Sequence, residues 1–246
     1  MKKVQETLKE VENMGFHGEG YKKIDFRLKR KDFIVGKERL RRILAEEGLL
    51  CPQRESKPRG PQVHDGTIIP IFPNKIWGTD MTKGHTIEEG KAHVWALIDH
   101  FTGECLGIHA SKSANRFEAM EPMKQAILEV FGKYEKDVAN GILMRHDHGS
   151  QYTSKDFQKE VKFFGMTSSP SFVRTPEGNG VIERFFRTLK ENCLWKETFK
   201  DIEQMNAKLQ RFRKNYNNEW ILERHRYKTP TQVRQIWNQK QENVAA

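Results

Sequence analysis

Three acidic residues, Asp80, Asp147 and Glu183, lie in short segments rich in polar or turn-forming residues, and 35 residues separate the last two. Carboxylate oxygens are hard ligands of the kind that Mg²⁺ prefers in proteins. Two such ions can clamp the attacking and leaving oxygens of an in-line displacement at phosphorus. A single acid is more often a solvated surface group or a helix cap. The combination therefore predicts a two-metal phosphoryl-transfer site, with three unrelated surface acids as the alternative.

The segment that carries Glu183 has a clear helical pattern from Val181 onward. Its apolar residues recur every three or four positions and form one stripe. Glu183, Arg187 and Lys190 form a second stripe, rotated by about 100° because each residue advances an α-helix by that angle. Glu183 and Arg187 could form an ordinary surface salt bridge. Alternatively, Glu183 could bind a metal ion while Arg187 and Lys190 hold phosphate groups.

Charge is distributed unevenly along the 246-residue chain, whose net charge is +10. Residues 1–60 hold 16 Lys or Arg against 10 Asp or Glu, residues 61–170 hold 12 against 14, and residues 171–246 hold 15 against 9. A basic surface attracts polyanions because each neutralised phosphate releases condensed counterions. An acidic centre between basic flanks therefore suits a cation site bordered by nucleic acid.

Apolar content and cysteine usage exclude several other classes of protein. The sequence has no run of eighteen apolar residues and no apolar stretch near its start, so we expect a cytoplasmic protein without a membrane partner. Its 3 cysteines are far apart, which predicts neither a disulfide framework nor a zinc module. His146 and His148 flank Asp147, but no third soft ligand lies nearby, so a zinc site is only weakly supported.

Hydrophobic periodicity divides the chain into three parts. Residues 1–50 predict a helical segment, residues 51–70 are a linker rich in Pro and Gly, and residues 71–246 form an α/β core with C-terminal helices. Predicted strands lie at 76–81, 93–99, 105–109 and 141–145, and predicted helices at 2–13, 21–31, 37–47, 115–131, 154–164, from 181, and from Pro230.

Some packing details also follow from the pattern. In the helix at 115–131, Phe117 and Leu128 are expected among the inward-facing residues. The segment 168–180 contains two Pro and two Gly and is expected to be a functional loop that moves when substrate arrives. In the tail, Tyr216, Trp220 and Trp237 are expected to pack onto the core.

The segment His146-Asp-His-Gly-Ser-Gln-Tyr-Thr-Ser154, followed at this distance by Ile182-Glu-Arg-Phe-Phe186, resembles a known family. It is similar to the integrase-core transposases of bacterial insertion sequences, second-reading-frame products of elements related to retroviral integrases. The resemblance extends from Gly20 to Pro230. It implies a small helical segment like a helix-turn-helix, followed by an α/β ribonuclease-H-like core, a mixed five-stranded sheet flanked by helices. In such a sheet the first and fourth strands are neighbours, which would bring Asp80 and Asp147 to one end. The sequence departs from the family pattern at His146, where Ser is usual.

The resemblance also implies an activity and its partners. Asp80, Asp147 and Glu183 would be the catalytic triad, holding two Mg²⁺ or Mn²⁺ ions that support phosphodiester hydrolysis and strand transfer. The partners would be double-stranded DNA at element ends and target, further copies of this chain, and an upstream-frame recognition protein or a fusion to it. The candidate DNA contacts are Arg187, Lys190, His148, Gln151, Arg174, Lys37 and Arg41.

Two other functions remain open at this point. A structure-directed nuclease on the same fold would cleave DNA without joining it. A non-catalytic DNA-binding regulator derived from a transposon would bind DNA without cleaving it, although the intact triad argues against this alternative.

Overall fold

The computed structural model describes residues 2–17, 19–50, 70–171 and 179–245. The chain divides into two compact units. One is a helical unit that contains α1 (Lys2–Asn13), α2 (Tyr21–Lys29) and α3 (Lys37–Glu46), together with residues 219–229. The other is an α/β unit built on a five-stranded sheet. None of the helices within the described ranges is long and apolar enough to span a membrane.

The α/β unit is organised around a mixed sheet in the order β3-β2-β1-β4-β5. Strands β1 to β3 are antiparallel, whereas β4 is parallel to both β1 and β5. This is the mixed five-stranded sheet that the family resemblance implied, although the sequence pattern itself predicted only four strands. The bounds are β1 Ile76–Thr86, β2 Gly90–Asp99, β3 Cys105–Ser111, β4 Leu143–His146 and β5 Thr167–Pro170.

Helices flank the sheet. Their bounds are α4 Arg116–Phe131, α5 Ser150–Thr153, α6 Lys155–Phe163, α7 Gly180–Leu189, a π-helical turn Lys190–Leu194, α8 Ile202–Glu219 and α9 Pro230–Ala245. Two helix starts follow the capping rules. The Asn115 side chain accepts hydrogen bonds from the N–H groups of Phe117 and Glu118 at the start of α4, and Ser154 accepts one from Phe157 N–H at the start of α6.

Two residues of α4 that were predicted to face inward are exposed instead. Phe117 and Leu128 are 55% and 52% exposed. They are eleven residues apart and so lie on one side of the helix. The buried side carries Met120 and Ile127 together with the small residue Ala119. Large apolar residues recur on more than one side of α4, so their pattern alone did not identify the side that packs closely on the sheet.

That close approach is made possible by Gly107 of β3. A Cβ atom added at Gly107 would lie 2.1 Å from the carbonyl oxygen of Pro122 in α4. Because the obstructing atom belongs to the backbone, it cannot move aside by a change of rotamer. Gly107 therefore sets how closely α4 packs on the sheet.

The outer edge of β3 is covered by polar side chains rather than by another strand. The side chain of Asn217 in α8 both accepts from Cys105 N–H and donates to Cys105 C=O, at 2.9 Å each. Asn206 makes the same double contact with Ala110 at 2.8 Å, and Gln210 donates to Ile108 C=O at 2.8 Å. These α8 residues recur at helical spacing. One face of α8 thus forms hydrogen bonds with backbone groups of β3 that face away from the rest of the sheet.

At the opposite edge of the sheet lies β5, a strand that was not predicted. The segment from residue 168 was expected to be entirely loop, but Thr167–Pro170 forms β5, paired in parallel with β4. Its four residues are polar or Pro and show no apolar alternation, so the sequence gives little indication of a strand. Residues 172–178 of this predicted loop, including Arg174, lie outside the described ranges. Its last residue, Gly180, begins α7.

The helical unit buries Val4, Val11, Ile24, Leu28 and Leu40. Residues 219–229, which the sequence placed with the core, pack within this unit instead. Trp220 lies against Phe16, with ring centroids 4.9 Å apart, and Tyr227 stacks on Phe26 at 4.7 Å. Arg27 donates to the Glu219 carbonyl at 2.9 Å. Tyr216 and Trp237, by contrast, pack against Phe185 and Phe72 of the α/β unit, as predicted.

Candidate active site

The first acid, Asp80, lies in the middle of the sheet. Its backbone pairs with Ala96 of β2, and its Oδ1 accepts a hydrogen bond from Met81 N–H at 2.7 Å. Burial raises the pKa of Asp80 to about 6, the Met81 N–H opposes this rise, and the negative charges of Asp147 and Glu183 add to it. The three predicted acids are therefore close enough to interact electrostatically.

Strand register explains why Asp147 lies next to Asp80. Gly78 pairs with Arg145 across the parallel β1 and β4 strands. Asp80 and Asp147 each lie two residues further along, so the same register places them side by side at the carboxyl end of β4. Asp147 is exposed. Its Oδ1 accepts a hydrogen bond from Gly149 N–H at 2.8 Å, which fixes the turn after β4.

The buried ring of His146 holds the backbone at Asp147. Burial lowers the pKa of His146, so a neutral ring with one N–H is favoured. Its Nδ1–H donates to the Asp147 carbonyl at 2.6 Å, and the Ser168 hydroxyl donates to its Nε2 at 2.8 Å. The ring also stacks on buried Tyr152 at 5.6 Å. His146 therefore acts as a structural residue, and the weak zinc interpretation finds no support here.

The third acid, Glu183, is exposed in the first turn of α7, whose apolar stripe is buried as predicted. Burial raises the pKa of Glu183, and the charges of Arg187 and Arg184 oppose the rise. Glu183 and Arg187 do not form a salt bridge within the described ranges. Both instead line a cavity of about 290 Å³ that also contains Asp80, Lys190 and Trp195. The geometry favours the second interpretation of this helix, with Arg187 and Lys190 facing the cavity beside the acids.

The other predicted site residues are more dispersed. His148 is exposed and its Nε2–H donates to the Ser171 carbonyl at 2.8 Å, and Gln151 is half-buried in α5; neither lines the cavity. Lys37 and Arg41 are exposed on α3 of the helical unit. Arg174 lies outside the described residues.

Several residues near the site were not singled out from the sequence. Met81, Thr82, Phe186 and Trp195 also line the cavity. Gly78, two residues before Asp80, leaves room for the ring of His100, because a Cβ atom there would lie 2.3 Å from Nε2 of His100. The Trp-Gly-Thr-Asp segment could have indicated this close approach, but no sequence signal marks Trp195.

The donor chemistry of the site fits a divalent cation. The three acids supply only carboxylate oxygens. Burial is the main cause of the raised pKa of Asp80, and the charges of Asp147 and Glu183 add a smaller repulsion that a bound cation would relieve. Within the described ranges no three His, Cys, Asp or Glu side chains are close enough to form a metal-binding group. The acids therefore lie in one neighbourhood without forming a closed ligand set.

Asp80→Asn should stabilise the metal-free protein at neutral pH. The pKa of Asp80 is about 6 in the folded protein, above its ordinary 3.8, so the ionised carboxylate destabilises the folded state. This cost shrinks as the pH falls below about 6 and is gone below 3.8, where the carboxyl is protonated in both states. We expect up to about 3 kcal/mol of stabilisation in urea unfolding at pH 7.5 and well under about 1 kcal/mol near pH 4. Equal stability of the two proteins at both pH values would contradict the electrostatic account.

Comparison with known proteins gives consistent matches. Two family models, both described as integrase core domain, match residues 72–176 and 165–230. An uncharacterized transposase-like protein of Haemophilus influenzae is 27% identical over 78% of this chain and 89% of that protein. The InsK protein of insertion sequence element IS150 from Escherichia coli is 23% identical over 94% of this chain and 82% of its own length.

Other relatives match over a shorter part. The transposase of insertion sequence element IS904 from Lactococcus lactis is 32% identical, and the match covers 50% of this chain and 46% of that protein. Among solved structures, a chain in the simian T-cell lymphotropic virus intasome in complex with PP2A regulatory subunit B56 gamma has a TM-score of 0.52. It is 18% identical, over 80% of this chain and 66% of that chain. This likeness supports the fold.

Proposed function

This chain belongs to the integrase core family of insertion-sequence transposases, and we propose that Asp80, Asp147 and Glu183 are its catalytic residues. It is a polynucleotidyl transferase with a ribonuclease-H-like core. The observation that carries the assignment of residues is the shared cavity, in which Asp80 and Glu183 lie with Arg187 and Lys190. Asp147 stands beside Asp80 through the strand register.

The proposed reaction has two steps at phosphorus. In the first, water attacks a phosphodiester at the element end, the bond from phosphorus to the 3′ oxygen breaks, and that oxygen leaves as a 3′ hydroxyl. In the second, this hydroxyl attacks a phosphodiester of target DNA and displaces a 3′ hydroxyl there. Neither step needs a covalent protein intermediate. The protein contributes positioning and charge stabilisation.

Proteins of the integrase core family depend on divalent metal ions. We assign the binding of two Mg²⁺ or Mn²⁺ ions to the three carboxylates. When bound, such ions stabilise negative charge on the attacking and leaving oxygens. The chain's own contribution is to hold Asp80 in a buried strand, to fix Asp147 through the Gly149 N–H, and to present Glu183 from a packed helix.

Transposases and integrases act on DNA in oligomeric complexes. In this chain, Arg187 and Lys190 would bind the phosphates that flank the scissile bond, since both line the cavity. Lys37 and Arg41, exposed on α3, would bind phosphates at another part of the element end. Pairing of two ends by a homo-oligomer, and help from an upstream-frame recognition protein, belong to the same proposal.

The function is tested with duplex oligonucleotides from the repeats that flank the coding sequence. We expect Mg²⁺-dependent nicks that leave a 3′ hydroxyl, followed by covalent joining of this end to a second duplex, and neither product in EDTA. Cleavage without any joined product would identify a nuclease instead. Binding without cleavage in either Mg²⁺ or Mn²⁺ would identify a DNA-binding regulator.

A further inference from the structure

The cavity that holds the acids also contains a large aromatic side chain with no role in the reaction described above. Trp195 is 68% exposed, whereas Trp77 and Trp95 of the core are fully buried. An isolated exposed apolar residue is common and needs no explanation. Trp195, however, lines the cavity together with Asp80, Glu183, Arg187 and Lys190, so its exposed ring lies beside the site of chemistry.

A change of helix type places Trp195 on this face. After α7 ends at Leu189, Lys190–Leu194 forms a π-helical turn. In a continuing α-helix Trp195 would lie about 140° around the axis from Lys190, because each residue advances 100°. Instead, Trp195 N–H donates to the carbonyl of Lys190, five residues earlier, at 2.9 Å. The wider turn brings Trp195 back towards the stripe of Glu183, Arg187 and Lys190. Such π-turns are frequent at functional sites.

We propose that Trp195 is a stacking platform for an unpaired nucleobase of the DNA strand whose phosphates enter this cavity. The inference rests on the proposed function and adds a contact to the base. Within the described ranges, Arg187 and Lys190 form no ion pair with an acid, so their charges remain available for phosphates on either side of such a nucleotide. An aromatic ring between cations is the arrangement by which proteins bind single-stranded DNA.

Stacking also defines which nucleotides can bind. In duplex DNA the neighbouring bases cover both faces of each base, so a protein ring can stack only on a base that ends the helix or has left it. Every base has a π-face, which makes the contact tolerant of sequence. Trp195 would therefore favour opened or frayed DNA at the position of cleavage without reading its sequence.

The test compares binding of the full chain, in EDTA, to two duplexes with unpaired terminal nucleotides, one carrying bases and one carrying abasic sites at those positions. We expect the wild type to bind the first about tenfold more tightly. Trp195→Ala should bind both alike, and Trp195→Phe should keep most of the preference. Phe117→Ala, which removes an exposed ring outside the cavity, should behave as wild type. Lys190→Ala should weaken binding to both duplexes by the same factor.

A Trp195→Ala protein that keeps the preference, or a wild type that shows none, would overturn the stacking role. The same DNAs are then incubated with Mg²⁺ to separate this inference from the proposed function. Cleavage by a wild type without base preference overturns only the role of Trp195. A base preference that depends on Trp195, in a protein that never cleaves, supports the stacking contact and overturns the proposed catalysis.

Discussion

Asp147→Asn should abolish Mg²⁺-dependent cleavage and strand transfer, lowering the rate at least about a thousand-fold, while the protein stays folded. Asparagine keeps the shape of the side chain, and its amide oxygen can still accept the Gly149 N–H that Asp147 binds. It removes the negative charge with which Asp147 would hold a divalent ion. Because Asp147 is exposed, the loss of charge leaves no buried group unsatisfied. Cleavage of flanking-repeat duplexes and circular dichroism measure the two effects.

Asp137→Asn is a matched control for this substitution. Asp137 is also exposed and has a positive φ of 59°, a conformation that asparagine adopts readily. It is not among the residues that line the cavity. We expect this variant to cleave at the wild-type rate. Equal loss of activity in both variants, or wild-type activity of Asp147→Asn, would show that Asp147 is not a catalytic residue.

Gly107→Ala should have the largest effect on stability. We expect it to lower the free energy of unfolding by at least about 3 kcal/mol. The new methyl group would lie 2.1 Å from the Pro122 carbonyl oxygen. Relief requires α4 to move away from the sheet, which would separate buried residues such as Ala119 and Met123 from their neighbours. Urea unfolding at neutral pH measures the change, and failure to obtain folded protein is the extreme form of the same result.

Gly36→Ala separates this packing effect from the general consequence of replacing glycine. Gly36 precedes α3 with a φ of −60°, and a Cβ atom there would meet nothing within 4 Å. We expect a loss of less than about 1 kcal/mol, because alanine is a poorer N-cap than glycine. A mild Gly107→Ala variant, no less stable than Gly36→Ala, would mean that α4 can shift without cost.

The sequence predicted the parts of the fold that follow from local patterns. Asp80 and Asp147 could be placed together because each ends or interrupts an apolar strand segment, and the fold that the family resemblance implies makes those strands neighbours. Glu183, Arg187 and Lys190 could be placed on one face because a regular helix determines the angle between them. The assignment of these residues to catalysis remains a proposal, since the acids are near one another without forming a ligand set.

The parts that the sequence did not predict depend on contacts between distant segments. Thr167–Pro170 has no strand pattern and becomes β5 only because β4 offers it a parallel partner. Residues 219–229 belong to the helical unit because Trp220 and Tyr227 find aromatic partners there. Trp195 reaches the cavity through a π-turn, a local change of helix geometry for which Lys190–Leu194 carries no recognisable signal.

The polar face of α8 along β3 has a consequence for assembly. An open strand edge is a template for strand addition, by which sheets of two molecules merge or aggregate. Asn206, Gln210 and Asn217 already occupy the backbone groups that such a strand would need. Copies of this chain therefore cannot join by extending their sheets through β3 without first displacing these side chains.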